Sequence, residues 1–218
     1  MTVFLDLDGT LTDPQEGIVG CLEHALEVMG VDPSDQGNLS RFIGPPLVDV
    51  MGELLGAENP DRVSQAVGAY RARYNTQGYL QNRPYDGIHD VLGRLKEAFG
   101  KLLLVTSKPT PVATQIVGHF ELAPYLDAIH GSGENGELAD KRVLINHVLQ
   151  SESLSASEVV MVGDRKHDII GANHNKVAGV GVLWGYGSET ELTQAGARAL
   201  CEAPGQLPLC LQELKRHV

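Results

Sequence analysis

Cysteine is scarce in this 218-residue sequence: Cys21, Cys201 and Cys210 are odd in number, far apart, and form no C-x-x-C pair. That excludes a disulfide framework and a zinc site of ordinary cysteine spacing, so the three read as reduced thiols without a chemical role. Positive charge is short as well. Seventeen Lys and Arg against 28 Asp and Glu leave a formal charge of −11, and no stretch reaches the basic density of a nucleic-acid footprint, so DNA and RNA are not expected partners. No apolar run approaches the roughly 18 residues of a membrane span, and the first residues pass straight into a strand pattern without a basic leader, which points to a cytoplasmic protein.

What is present suffices for a core: 42% of residues are hydrophobic and 21% charged, ordinary globular usage. Thr2–Leu7 is a β-type apolar run. Glu16–Gly30 places Ile18, Val19, Leu22, Ala25, Leu26 and Met29 at helical spacing and ends on glycine. Helix signals follow at Val48–Leu55 and Pro60–Asn75, the latter with Asn59 as N-cap and Pro60 in the first helical position. No strand-like alternation occurs between about Asp13 and Asn82. From Pro84 the rhythm changes to helix and strand in turn, with strands expected at Lys101–Thr106, Asp127–His130, Val159–Val162 and Gly179–Leu183. Such alternation predicts an α/β fold, a doubly wound parallel sheet covered by helices, with residues 15–81 inserted as a small all-helical domain between core segments 1–14 and 82–218.

Ligands of such sheets bind at the carboxyl ends of the strands. Those ends carry Asp6 and Asp8 in TVFLDLDGTLTD, Thr106 and Ser107 after LLLV, and Asp164 in VVMVGD, with Asp168 one turn further on. On an extended strand Asp6 and Asp8 share one face, roughly 6–7 Å apart, and repel. A bound cation offsets that repulsion, and hard carboxylate oxygens suit Mg2+. A carboxylate beside such a metal can attack phosphorus, and its neighbour can move the proton.

FLDLDGTLTD, LLLVTS, an upstream lysine and VVMVGDRKHDIIGA together resemble, in order and spacing, the four motifs of the haloacid dehalogenase superfamily, whose core is Rossmann-like. The resemblance implies a Mg2+-dependent phosphatase. In it Asp6 is nucleophile and metal ligand, and Asp8 is general acid/base, contributing to the metal through its backbone carbonyl. Asp164 and Asp168 complete the metal site, and Gly9, Thr106 and Ser107 sit around the phosphate. Two lysines compete for the third motif. Lys108 follows directly in TSKP, while Lys141 opens DKRVLINHVL, the position the family favours; many members place proline next, where this chain has Arg142.

The helical insertion corresponds to the family's cap, expected to close over the site. Its loop SRFIGPPL resembles that of phosphoglycolate-phosphatase-like members, so Arg41 and Gly44 either meet the substrate or form a rigid turn. Arg71 and Arg73 are expected to be solvated. Asp8 argues for phosphate esters over dehalogenation, and Thr10 for a phosphatase over a sugar phosphomutase. DRKHDIIGA and GVLWGYGS look most like phosphoglycolate phosphatases and related 5′-nucleotidases. His167, His174 and Trp184 are expected to pack rather than bind. The expected partner is a small phosphorylated metabolite, for a monomer or homodimer.

Overall fold

The computed structural model describes residues 1–133 and 136–216. Strand β1 (Thr2–Leu5) and the two-residue β2 (Thr12–Asp13) come first, followed by helices α1 (Gln15–Val28), α2 (Leu47–Leu55) and α3 (Pro60–Tyr74). From β3 (Arg83–Pro84) onward the elements alternate: α4 (Ile88–Phe99), β4 (Leu102–Pro109), α5 (Thr110–His119), β5 (Ala128–Ser132) and α6 (Lys141–Ser151). The remainder is β6 (Val159–Gly163), α7 (Lys166–His174), β7 (Ala178–Val182), α8 (Glu189–Gln194), β8 (Ala199–Cys201) and α9 (Leu207–Arg216). Contacts divide the chain into two compact units, Met1–Asp13 with Pro84–Val218, and Pro14–Arg83.

In the first unit six parallel strands lie in the order β5-β4-β1-β6-β7-β8. The chain builds outward from β1 on one side through β4 and β5 and on the other through β6 to β8, so the order reverses at β1. That reversal opens a crevice at the carboxyl ends of β1, β4 and β6. The strands at the switch are apolar at consecutive positions because helices cover both faces. Phe4, Leu103, Val105 and Met161 from three strands pack against Leu144, Ile145 and Val148 of α6 and Ala172 of α7. Each large side chain so removed from water contributes about 1.5–3 kcal/mol. The sheet extends past the last strand expected from the sequence. β8 holds only three residues at the edge, too few for a period-2 signal.

In the second unit α1 packs on α3 and α3 on α2. α1 buries Ile18, Cys21, Leu22, Ala25 and Leu26 on one stripe. α3 begins as its sequence dictates, with Asn59 accepting the Arg62 N–H at 3.3 Å and Pro60 first in the helix. Arg73 is not a solvated charge. Its Nε donates to the Gly20 carbonyl at 3.0 Å and Nη1 to Gln77 at 2.9 Å, tying α3 to α1. Arg41 is exposed, with its guanidinium 4.6 Å from the Phe42 ring centre, and Gly44 has φ +110.

Candidate active site

β1 ends at Leu5, but the Asp6 N–H still donates to the Val162 carbonyl at 3.0 Å, so its backbone stays in sheet register. The chain then turns tightly: the N–H groups of Thr10, Leu11 and Thr12 all donate to the Leu7 carbonyl. Gly9 makes the turn at φ +80, and a Cβ there would lie 2.2 Å from Asp164 Oδ2. Only glycine lets the two acidic turns meet. The Gly9 N–H is taken by the Thr12 carbonyl at 2.7 Å. Asp6 and Asp8 do not share a strand face, because Asp8 already lies in the turn and bridges to Thr12.

Lys141 opens α6 and is 4% exposed. Its Nζ donates to Asp6 Oδ1 and to the Val105 carbonyl, both at 2.8 Å, and lies 2.6 Å from Asp168 Oδ1. The ammonium thus makes two hydrogen bonds and a close ion pair, all inside the site. Arg142, standing where many relatives have proline, has a local role: its backbone N–H donates to the N-cap Asp140 at 2.8 Å, and its guanidinium pairs with the same carboxylate. A helix start that proline would pre-set is fixed here by an aspartate cap. Lys108, weighed only as a rival to Lys141, has its own partner, Asp8 Oδ2 at 2.6 Å. Both lysines are in the site. Thr106 is buried within β4 and its hydroxyl accepts the Lys108 N–H at 3.3 Å. Ser107 and Lys108 still belong to β4, whose extent exceeds the expected end at Thr106.

Asp164 is fully buried. Its Oδ2 accepts the Tyr186 N–H at 2.8 Å, and its Oδ1 has no hydrogen-bond partner among the described residues. Asp168, in the first turn of α7, accepts the Arg165 N–H at 3.1 Å. Carboxylate oxygens of Asp6, Asp164 and Asp168 lie within 4.8 Å of one another. The charge shows in the titration. Burial, with the charges of Asp168 and Asp6, pushes Asp164 well above the usual carboxylate range. Burial lifts Asp168 to about 6 although Lys141 opposes it, and it raises Asp8 against the pull of Lys108. Burial also works against charge on Lys141, yet Asp168 and Asp6 together hold its pKa above the ordinary value.

Three carboxylates, two of them with a buried Oδ1 that accepts no hydrogen bond among the described residues, and an excess of negative charge over the single ammonium fit a hard divalent cation such as Mg2+. The Asp8 carboxylate stands apart from this group and turns to Lys108, which leaves its backbone carbonyl as the expected metal contact. His167 is half-buried and its pKa is lowered by burial, His174 is exposed, and neither joins the cluster.

A model of haloacid dehalogenase-like hydrolases matches residues 3–182. The chain belongs to that family. A 5′-nucleotidase of Pseudomonas aeruginosa is 43% identical over 190 residues, covering 87% of this chain and 86% of that protein. Tyrosine-protein kinase PtkA of Mycobacterium tuberculosis is 37% identical over 85% of this chain, which spans 62% of that protein's length. Among solved structures, a predicted phosphatase from Clostridium acetobutylicum superposes with a TM-score of 0.91 at 37% identity, covering 97% of this chain and 98% of that one. Proteins named phosphoglycolate phosphatase are also among the relatives.

Residues that the motifs did not single out complete the site: Tyr186, Trp184 with its Nε1 on the Thr10 carbonyl at 3.0 Å, and Glu191, which accepts from Arg165 Nε and the Lys166 N–H at 3.0 and 2.8 Å. The run WGYGSETE held a signal for them, two glycines alternating with aromatics just past a strand end, where close backbone approach is common.

Proposed function

We propose that the protein is a Mg2+-dependent phosphomonoesterase that releases inorganic phosphate from a small metabolite through an aspartyl phosphate on Asp6, with nucleoside 5′-monophosphates as the favoured substrates. The reading rests on one observation, the buried Asp6 carboxylate held by Lys141 at 2.8 Å within a cluster of three acids. Asp6, Asp164 and Asp168 would hold the metal, which when bound offsets their charge and that of the incoming phosphate. Lys141 fixes the Asp6 rotamer and leaves the oxygen not hydrogen-bonded to it to attack phosphorus, displacing the alkoxide. Asp8, its pKa already raised, protonates that alkoxide and then takes the proton of the water that hydrolyses the acyl phosphate, regenerating the Asp6 carboxylate. Thr106 already accepts a hydrogen bond from the Lys108 N–H, so its own O–H is directed to a phosphoryl oxygen, with Ser107 beside it.

The substrate preference is supported by the 43% identical relative named 5′-nucleotidase. Phosphoglycolate is the second reading, supported by relatives of that name. Substrate contacts at Arg41 and Gly44, a cytoplasmic location and a monomeric or homodimeric state belong to the same proposal. The test is phosphate release, with and without EDTA, across nucleoside monophosphates, phosphoglycolate, hexose phosphates and phosphotyrosine, ranked by kcat/KM. Purified Asp6→Asn is expected to be inactive on all of them. Full turnover by that variant refutes the mechanism, and a kcat/KM highest for phosphoglycolate refutes the substrate assignment.

A further inference from the structure

The segment Trp184–Glu191 leaves β7 and runs across the carboxyl ends of β1 and β6, bonding to both. On the β1 side Trp184 Nε1 donates to the Thr10 carbonyl at 3.0 Å, and the Tyr186 hydroxyl donates to Asp13. On the β6 side the Tyr186 N–H donates to Asp164 Oδ2 at 2.8 Å, and Glu191 accepts from Arg165 and Lys166. Between these anchors the backbone is wedged. A Cβ on Gly185 would lie 2.3 Å from the Gly9 carbonyl oxygen and 2.4 Å from Asp164 Cβ, touching both turns at once, and one on Gly187 would lie 1.9 Å from the Asp164 carbonyl oxygen. No side chain fits at either position without moving the turns.

The two turns carry the acids of the site, and among the described residues the backbone pairing of β1 with β6 ends at the Asp6 N–H, short of both turns. We infer that residues 184–191 are a strap that sets the spacing of the Asp6–Thr10 and Asp164–Lys166 turns, with Trp184, Tyr186 and Glu191 as positioning residues for the metal-binding acids. The inference rests on the function proposed above. Tyr186 is the joint, since one residue holds Asp164 through its backbone and Asp13 through its side chain.

The test is Mg2+ binding to EDTA-treated, substrate-free protein by isothermal titration calorimetry, with hydrogen exchange of residues 9–12 and 164–166 as a second readout. Trp184→Phe with Tyr186→Phe removes two donors and leaves an aromatic ring at each position. This double variant is expected to stay folded by circular dichroism, to bind Mg2+ about tenfold more weakly, and to lose amide protection in both turns together. Glu191→Ala is expected to weaken binding, and Glu191→Gln, which can still accept the Lys166 N–H, to recover most of it. Wild-type Mg2+ affinity in the double variant, or equal affinities for Glu191→Ala and wild type, overturns the strap. Loss of protection in one turn alone also overturns it. A wild-type protein that binds Mg2+ but releases no phosphate refutes the proposed activity while the binding series still judges the strap; one that binds no Mg2+ overturns both.

Discussion

Lys141→Met removes the ammonium that touches both Asp6 and Asp168, and its cost should depend on pH in a direction fixed by Asp168. Both pairs are sheltered, with Lys141 and Asp168 side chains 4% and 2% exposed, so screening by solvent is small and breaking the contact should cost about 3–5 kcal/mol overall. Part of that cost titrates. Asp168 is lifted from the ordinary aspartate value to about 6 with Lys141 in place. A carboxyl whose folded pKa lies above its unfolded value lends stability that is complete below the unfolded pKa and lost as the pH climbs through the folded one. At roughly 1.4 kcal/mol per unit, about 3 kcal/mol of native-state cost is therefore present in the metal-free protein above pH 6.

Lys141 is a force that lowers the Asp168 pKa, so its removal moves the upper edge of this window further up. Below the wild-type folded pKa the added shift changes nothing, and above it each extra unit costs about 1.4 kcal/mol. Urea titrations of EDTA-treated wild type and Lys141→Met at pH 5 and pH 8, followed through the single tryptophan, Trp184, should show a destabilisation about 1.5–3 kcal/mol larger at pH 8, for a further shift of one to two units. Saturating Mg2+ should shrink the pH 8 excess, because a cation bound to the folded state supplies the missing charge. An equal loss at both pH values, or a larger loss at pH 5, refutes the account of Asp168.

Other substitutions probe separate features of the first unit. Arg142→Pro deletes the N–H that Asp140 caps at 2.8 Å but sits in the first turn, where proline is tolerated, so its melting should report a loss of about 1 kcal/mol rather than the roughly 3 of a helix interior. Thr12 is fully buried with its hydroxyl unpartnered among the described residues, and Thr12→Val should raise stability by about 1 kcal/mol in a urea melt. Leu144→Ala opens a void under α6 beside Phe4 and Val105 and should cost about 3 kcal/mol with kcat/KM of the folded fraction retained; a loss under 1 would show that the core collapses into the space.

Most of the sheet was legible because parallel strands covered on both faces leave short Val/Leu runs, as in VVMV, and because a strand end followed by an acid is a local pattern. Lys141 was legible for the same kind of reason: it opens a helix whose cap, Asp140, precedes it in sequence. What sequence order conceals is pairing across turns. Lys108 follows Thr106 by two residues and so looked like an alternative to Lys141, yet the register of β4 beside β1 carries it to Asp8 while α6 carries Lys141 to Asp6. Two lysines and two aspartates thus form separate pairs, a division that adjacency in the chain cannot express. The same holds for Gly9, whose need is set by Asp164, a residue far away in sequence and 2.2 Å from the Cβ that Gly9 lacks. A glycine in D-x-D-G-T reads as a turn former from its neighbours alone; that it is also the floor on which the fourth-motif carboxylate rests depends on β1 and β6 being adjacent strands. The spacing of the acids is therefore a property of the sheet order at β1, and a substitution at Gly9 should disturb Asp164 as much as Asp8.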